Sequence, residues 1–354
     1  MIKVALLVHG MGVHGSDWAT DAIAGIRKAA DSFGLADRLA DSMTDGKVAL
    51  VPITYDQEFT ALLGQWGNDS RALSDFITAN SIGVPANIVS WLNNADATDN
   101  NFLWSHVVDV ILYRFFSEVT TNVRVHVMTQ VAKAWADALA ADTTARVSVV
   151  AHSLGTSVTH DSLALLGTKP PAGCEGFLAG DRRLANLFMV ANVSRILETS
   201  PQVYDSTIAP PSVRGSTAYC AAMFNVHHEL DPFTAPRRFK PAWGGSDYVE
   251  VTTTAVREFN VHSFERYIDD PRVHVPLLRS LFGFDAIGDA AARSAIAAYD
   301  AAPGPPCPQA LADFVQDCRQ RVELIQDSND IKTLIAAGVH FLADVDAVRK
   351  KCKP

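Results

Sequence analysis

Residues 147–158 read VSVVAHSLGTSV, and this stretch constrains the fold more than any other. The β-branched run Val147, Val149 and Val150 predicts a strand. The pentapeptide Ala151-His152-Ser153-Leu154-Gly155 follows it, and residues 156–166 are small, apolar and helix-compatible. The expectation is a strand, a sharp turn and a helix, with Ser153 on the turn. A serine hydroxyl is a poor nucleophile unless it is exposed, held in place and next to a base. A strained strand-to-helix turn exposes it and aims the following backbone N–H groups at the same point. Ala151 and Gly155, two positions either side, are small enough for strand and helix to approach closely. The pattern is G-x-S-x-G with alanine in the first place. Taken alone it also describes a surface turn serine after a buried strand, so the rest of the chain has to decide.

Apolar runs at 4–8, 48–55, 187–193, 219–226 and 247–253 predict further strands, with Pro52 marking an edge or a bulge. The first run, VALLV, is fully apolar, as a parallel strand covered on both faces should be. Residues 17–40 follow a helical pattern in which Ala22, Ile26, Ala29, Ala30 and Phe33 share a face. Strands alternating with helices predict an α/β fold with a mainly parallel sheet flanked by helices. Residues 57–116 interrupt this alternation and are expected to form a helical cap insertion. Its first part mixes Trp66, Phe76, Trp91 and Phe102 with Gly, Asn and Asp without a clear period. Residues 103–140 return to a helical pattern, and 169–180 read as a Pro- and Gly-rich loop. The breaker PGPPCP at 303–308 separates a main domain, 1–302, from a C-terminal helical extension, 303–354, expected to pack on it. There Leu311, Phe314, Val315, Cys318, Val322 and Ile325 line one helix face, and a second helix is expected over 331–350.

Three more pieces turn a turn serine into a nucleophile: an oxyanion hole, a base and an acid that orients the base. The first strand runs into His9-Gly10-Met11-Gly12. Glycines either side of Met11 allow its N–H to face a substrate oxyanion together with the N–H of Leu154. His9 is expected to brace this loop. Asp231, where the strand FNVHHELDP ends, is the acid candidate, because carboxylates at C-terminal strand ends lie on the functional edge of a parallel sheet. Glu229 is its nearest rival, and a plain turn-capping aspartate is the bland alternative. His262, in FNVHSFERY, is the base candidate, with His274 as rival. Chain order favours His262: nucleophile 153, acid 231, base 262.

Other chemistries fit less well. His227, His228 and Glu229 are neighbours on an expected strand and point to opposite faces, so no metal site is expected. No cofactor is called for. The formal net charge of −9 argues against nucleic acid. Five cysteines, at 174, 220, 307, 318 and 352, make no metal spacing, and mostly reduced thiols in a cytoplasmic protein are expected. No secretory leader and no membrane span are recognised, which leaves peripheral membrane contact and oligomeric state open.

The HG after the first strand, the AHSLG elbow after a middle strand and the order Ser153, Asp231, His262 resemble the α/β-hydrolase superfamily over roughly residues 4–283. The longer stretch AHSLGTSVTHD at 151–161 is similar to its lipase-like branch, which includes GPI-inositol-deacylase-like and DDHD-type lipases. The resemblance implies an α/β-hydrolase fold and a serine esterase or lipase. Ser153 is then the nucleophile, His262 the base, Asp231 the orienting acid, and Met11 and Leu154 the oxyanion donors. His9, Gly10, Gly12, His152 and Gly155 support the motif. The same triad also serves thioesterases, amidases and acyltransferases, and a non-catalytic scaffold on this fold is the reading from another class.

Overall fold

The apolar runs become the strands of one sheet. The computed structural model describes residues 1–11, 18–64, 70–84, 86–94, 101–168, 170, 174, 183–197, 210–215, 218–235, 237–304, 307–326, 328 and 331–352. Within these, β1 (Lys3–Val8), β2 (Leu39–Ala40), β3 (Val48–Ile53), β4 (Arg146–His152), β5 (Leu184–Val190), β6 (Cys220–His228) and β7 (Tyr248–Thr253) pair in the order β2-β3-β1-β4-β5-β6-β7. Every pairing is parallel. Parallel strands cannot be joined by tight hairpins, so helices carry the connections. These are α1 (Ala19–Asp31), α2 (Asp56–Leu63), α3 (Ser70–Ala79), α4 (Ala86–Asn94), α5 (Asn101–Phe115), α6 (Ser117–Ala141), α7 (Leu154–Thr168), α8 (Ser194–Leu197) and α9 (Pro211–Arg214). After the last strand come α10 (Phe264–Asp269), α11 (Pro271–Phe282), α12 (Asp289–Ala301), α13 (Pro308–Ile325) and α14 (Ile331–Lys351).

Side-chain alternation sorts the core into two layers. Val4, Leu6 and Val8 of β1, with Val147 and Val149 of β4, pack with α6 and α7 on one face. Ala5, Leu7 and Val150 pack on the other, against Ala22, Ile26, Ala29 and Ala30 of α1 and Leu277, Leu278 and Leu281 of α11. Pro52 pairs with Leu7 on one side only, because β2 reaches no further along β3 than Ala49. A residue without an N–H is tolerated at such a local edge. The boundaries of α11 follow from its sequence. The Asp270 carboxylate accepts the Arg272 N–H, Pro271 takes the first helical position, and Gly283, at φ 108°, ends the helix.

Of the expected cap insertion the structure describes the helices α2 to α5. Phe59, Leu63, Leu73, Ile77, Leu92, Val108 and Ile111, from α2 to α5, join the α6–α7 side of the core, and Phe76 stacks on Phe116. Trp66 lies outside the described residues, as does most of the 169–180 loop. A buried polar lock ties three helices: the Tyr113 hydroxyl donates to Asp161 at 2.6 Å, and the Arg124 guanidinium pairs with the same carboxylate.

The C-terminal residues form an antiparallel hairpin of α13 and α14. Phe314, Cys318, Phe341 and Val345 from this hairpin pack with Leu230, Phe259 and Val261. The expectation of mostly reduced thiols is qualified at one pair: Cys307 and Cys352 form a disulfide. The reason is topological. The hairpin turn brings the start of α13 beside the end of α14, which sequence spacing does not reveal. Cys174, Cys220 and Cys318 are buried and lie outside this disulfide. The thiol argument for a reducing compartment falls with the pairing. Closing a loop of 45 residues should stabilise the chain by about 4 kcal/mol on the chain-entropy estimate. Cys307→Ser, or reduction of the wild type, is therefore expected to lower the urea midpoint. An unchanged midpoint would contradict the clasp. Among the described residues no helix is long and apolar enough to cross a membrane.

The strand order also locates a crevice. From β1 the chain moves out to β2 at one edge and back to β3, and from β4 it moves toward β7 at the other. Connections diverge between β1 and β4, and in open parallel sheets ligands bind at the C-terminal strand ends at such a switch point.

Candidate active site

Ser153 sits between β4 and α7, at that switch point, with φ of +52°. A left-handed backbone at a non-glycine residue is costly and has to be held by its surroundings. Here the Ser153 N–H donates to Val190 O of β5 at 3.0 Å. Its carbonyl accepts from both the backbone and the hydroxyl of Thr156, and that hydroxyl in turn accepts the Val193 N–H. Ala151 is fully buried, and Gly155 has no room for a side chain. A Cβ on Gly155 would lie 2.2 Å from His9 O and 2.8 Å from Val8 O. The expected need for small residues either side of the serine is thus physical contact between α7 and the end of β1.

The loop after β1 is braced from below. The Tyr55 hydroxyl donates to His9 O at 2.7 Å and to Gly10 O at 3.0 Å. His9 Nδ1 donates to Gly10 O at 2.8 Å, its Nε2 lies 3.2 Å from an Asp56 carboxylate oxygen, and its ring stacks on Tyr55 at 3.9 Å. His9 therefore holds the loop, as its sequence position suggested, and Tyr55 is a brace that the sequence did not announce. Gly10 lies against the serine: a Cβ there would be 3.0 Å from both Ser153 Cβ and His152 Nδ1. Leu154 is the first residue of α7, where an N–H has no intrahelical acceptor. Met11 lines the same cavity. Gly12 lies outside the described residues.

The structure brings Ser153, His262 and Asp231 together. The Ser153 hydroxyl donates to His262 Nε2 at 2.7 Å, and His262 Nδ1 donates to Asp231 Oδ2 at 2.7 Å. The tautomer is assigned from this pattern, because a carboxylate accepts only from a protonated Nδ1. His262 follows β7 on a loop in which Asn260 Oδ1 accepts the His262 N–H. His152 Nε2 donates to His262 O at 2.8 Å and so ties the base loop to the elbow. The Phe233 ring lies on the imidazole with centroids 4.4 Å apart. The rivals are placed elsewhere: His274 donates to Ile268 O within the α10–α11 corner, and the Asp231 carboxylate, not that of Glu229, meets His262.

Asp231 is fully buried and takes three hydrogen bonds. Besides His262, the Tyr267 hydroxyl donates to Oδ2 at 3.0 Å and the Phe233 N–H to Oδ1 at 2.9 Å. Burial alone would push its carboxyl up, but His262 and these donors hold it below the usual carboxylate value. Tyr267 is oriented by the His228 N–H, which donates to its oxygen at 2.8 Å. Burial and then the Asp231 charge raise the Tyr267 hydroxyl well above the usual tyrosine range, so it remains a donor. His228 and His227, pushed by burial to about 4 and about 3, are neutral near pH 7. The described residues contain no group of three or more His, Cys, Asp or Glu able to hold a metal.

A cavity of about 260 Å³ opens onto Ser153 and His262. Leu7, Val8, Met11, Trp18, Ala22 and Val150 line it, together with Phe233, the loop around His262 and the first two residues of α10. None of the described residues of 57–116 lines it. One wall depends on the C-terminal hairpin, since a Cβ on Gly338 of α14 would come within 2.3 Å of the Phe233 ring. Leu230 and Val261, which pack on the hairpin, are the chain neighbours of Asp231 and His262.

The chain matches no family model, no curated protein and no solved structure.

Proposed function

We propose that the chain is a serine hydrolase of the α/β-hydrolase type that cleaves carboxylic esters through an acyl-enzyme on Ser153. The observation that carries this reading is the continuous relay from Ser153 Oγ through His262 to a buried Asp231, with the serine held at positive φ on a strand-to-helix turn. The loop after β1, the elbow and the chain order Ser, Asp, His agree with that fold's pattern. A relay of this kind activates a hydroxyl that is otherwise inert at neutral pH.

In the proposed mechanism His262 Nε2 takes the Ser153 proton as Oγ adds to the ester carbonyl carbon. The carbonyl oxygen becomes an oxyanion, stabilised by the Leu154 and Met11 N–H groups. Tyr55 holds the His9 and Gly10 carbonyls away, so that the loop offers donors to the cavity. The imidazolium, stabilised by Asp231, returns its proton to the leaving alcohol as the C–O bond breaks. Water then attacks the acyl-enzyme, loses a proton to His262 and releases the acid while Oγ regains its proton. Hydrolysis rates on a matched ester, thioester and amide of one acyl group, compared with Ser153→Ala, test the reading. A wild type no faster than the variant on all three would reject it.

The same scheme gives Tyr267 a positioning role. Losing its donor frees the Asp231 carboxylate to turn, so that it orients the His262 imidazole less well. Tyr267→Phe is therefore expected to lower kcat about tenfold with KM little changed. A kcat within about twofold of wild type would leave Tyr267 as packing only.

A further inference from the structure

His262 lies between β7 and α10, on a segment whose apolar residues pack on the C-terminal hairpin. Phe259 and Val261 of that segment, and Leu230 beside the acid, share a cluster with Phe314, Phe341 and Val345. Phe233 carries the contact onward to the base. Its ring lies on the His262 imidazole with centroids 4.4 Å apart and meets Phe341 edge-on at 6.0 Å. Gly338 leaves that ring its room, since a Cβ there would fall 2.3 Å from it. The packing of α14 therefore sets where Phe233 and Val261 lie. One rests on the imidazole and the other precedes it in the chain. Among the polar ties of the hairpin, Arg321 pairs with Asp344 across it at 2.6 Å, and Arg349 Nε donates to Glu258 at 2.9 Å. These pairs are partly exposed, and such pairs hold little by themselves. The disulfide closes the open end of the hairpin: Cys307 caps the start of α13 and Cys352 directly follows α14. Both cysteines are half-buried, within reach of a small reductant. A crosslink confines the helix ends it joins, and a small peripheral cluster is where a fold opens first once such a link is lost.

We propose that the Cys307–Cys352 disulfide is a redox switch on the relay. Oxidised, the hairpin holds Phe233 and the His262 segment in place. Reduced by a dithiol, the hairpin loosens and the imidazole loses its alignment with Ser153. In the reduction a thiolate of the dithiol attacks one cysteine sulfur, the S–S bond breaks and the other sulfur leaves as a thiolate. The second thiol of the reductant then attacks the mixed disulfide. The products are two cysteine thiols and the cyclic disulfide of the reductant, two electrons and two protons having passed to the protein. Small displacements of a catalytic group suffice, because a misplacement of about 1 Å can cost about a hundredfold in rate. The proposal names a regulation of the hydrolase site and rests on that reading for its rate measurement.

Two measurements test it. The first compares, without denaturant, the hydrolysis of 4-nitrophenyl butyrate by three proteins. They are the oxidised wild type, the wild type reduced with dithiothreitol and then freed of it, and the double variant Cys307→Ser/Cys352→Ser. The reduced wild type and the double variant are expected to lose about tenfold in kcat with KM within about twofold. Reoxidation should restore the wild type. The double variant should not respond to dithiothreitol, which separates the clasp from Cys174, Cys220 and Cys318. A reduced wild type that keeps its kcat, or a double variant that still responds, would overturn the proposal. So would global unfolding on reduction, seen by circular dichroism, because the clasp would then hold the whole fold rather than the site. The second measurement is hydrogen exchange of the oxidised and reduced wild type, which needs no turnover. Peptides covering 230–235 and 256–263 are expected to exchange about tenfold faster after reduction, with β1 and β4 unchanged. Equal exchange in the two states overturns the proposal. If the oxidised wild type is no faster than Ser153→Ala, the hydrolase reading fails, and the exchange still decides whether the clasp controls the His262 segment.

Discussion

Replacing Ser153 with alanine is expected to reduce kcat on an activated ester such as 4-nitrophenyl butyrate by about 10⁶-fold, with the fold intact. The alanine keeps the turn and the cavity but removes the oxygen on which the proposed acyl-enzyme forms. What remains is direct attack by water, assisted by the oxyanion donors. His262→Ala should cost about as much, because an alcohol without a base is scarcely more nucleophilic than water. The double variant should be little worse than either single one, since the two groups act as a unit. Asp231→Asn is expected to be milder, at about 10⁴-fold, by favouring the wrong His262 tautomer. Steady-state rates on purified variants, each checked by its melting transition, measure this. A Ser153→Ala enzyme within tenfold of wild type would place the chemistry on another residue.

A large effect on stability is also expected at Gly155. A methyl group there would sit 2.2 Å from His9 O and 2.8 Å from Val8 O, both backbone atoms at the end of β1. Backbone cannot rotate aside as a side-chain tip can, so α7 or β1 has to move. Gly155→Ala is expected to cost about 3 kcal/mol or more, at the upper end for overpacking. Any shift displaces the His9–Met11 loop, so activity should fall further than the loss of folded protein explains. Gly25 in α1 provides the control, because a Cβ there meets only Ile268 Cγ2 at an ordinary 3.6 Å. Gly25→Ala should be neutral or stabilising by up to about 1 kcal/mol, through helix propensity. Urea unfolding of the two variants side by side measures the contrast. Equal midpoints would show that α7 does not rest on β1.

The α/β architecture was readable because parallel strands buried on both faces are continuous apolar runs, as in 4–8 and 147–151. The meeting of Ser153, Asp231 and His262 was readable from chain order and from their places after strands. Their supports were not. Tyr55 and Tyr267 act through hydroxyls at the far ends of their rings, 46 and 36 residues from the groups they hold. Neither hydrophobic periodicity nor a motif encodes that reach. The C-terminal hairpin was expected to pack on the main domain, but its apolar face does not name what it covers. In the structure it covers Leu230 and Val261, beside the acid and the base. The Cys307–Cys352 clasp stayed hidden for the same reason. The 57–116 insertion suggested a lid from its aromatics, whereas its described core residues pack against the α6–α7 side of the sheet.

The most direct test of the central claim is labelling of the wild type with a fluorophosphonate, followed by peptide mass spectrometry. Such a probe reacts with a serine only when a base and oxyanion donors activate it. One adduct, on Ser153, lost in His262→Ala, is the result expected of the proposed relay. Folded wild type that stays unlabelled, or an adduct that survives in His262→Ala, would contradict it.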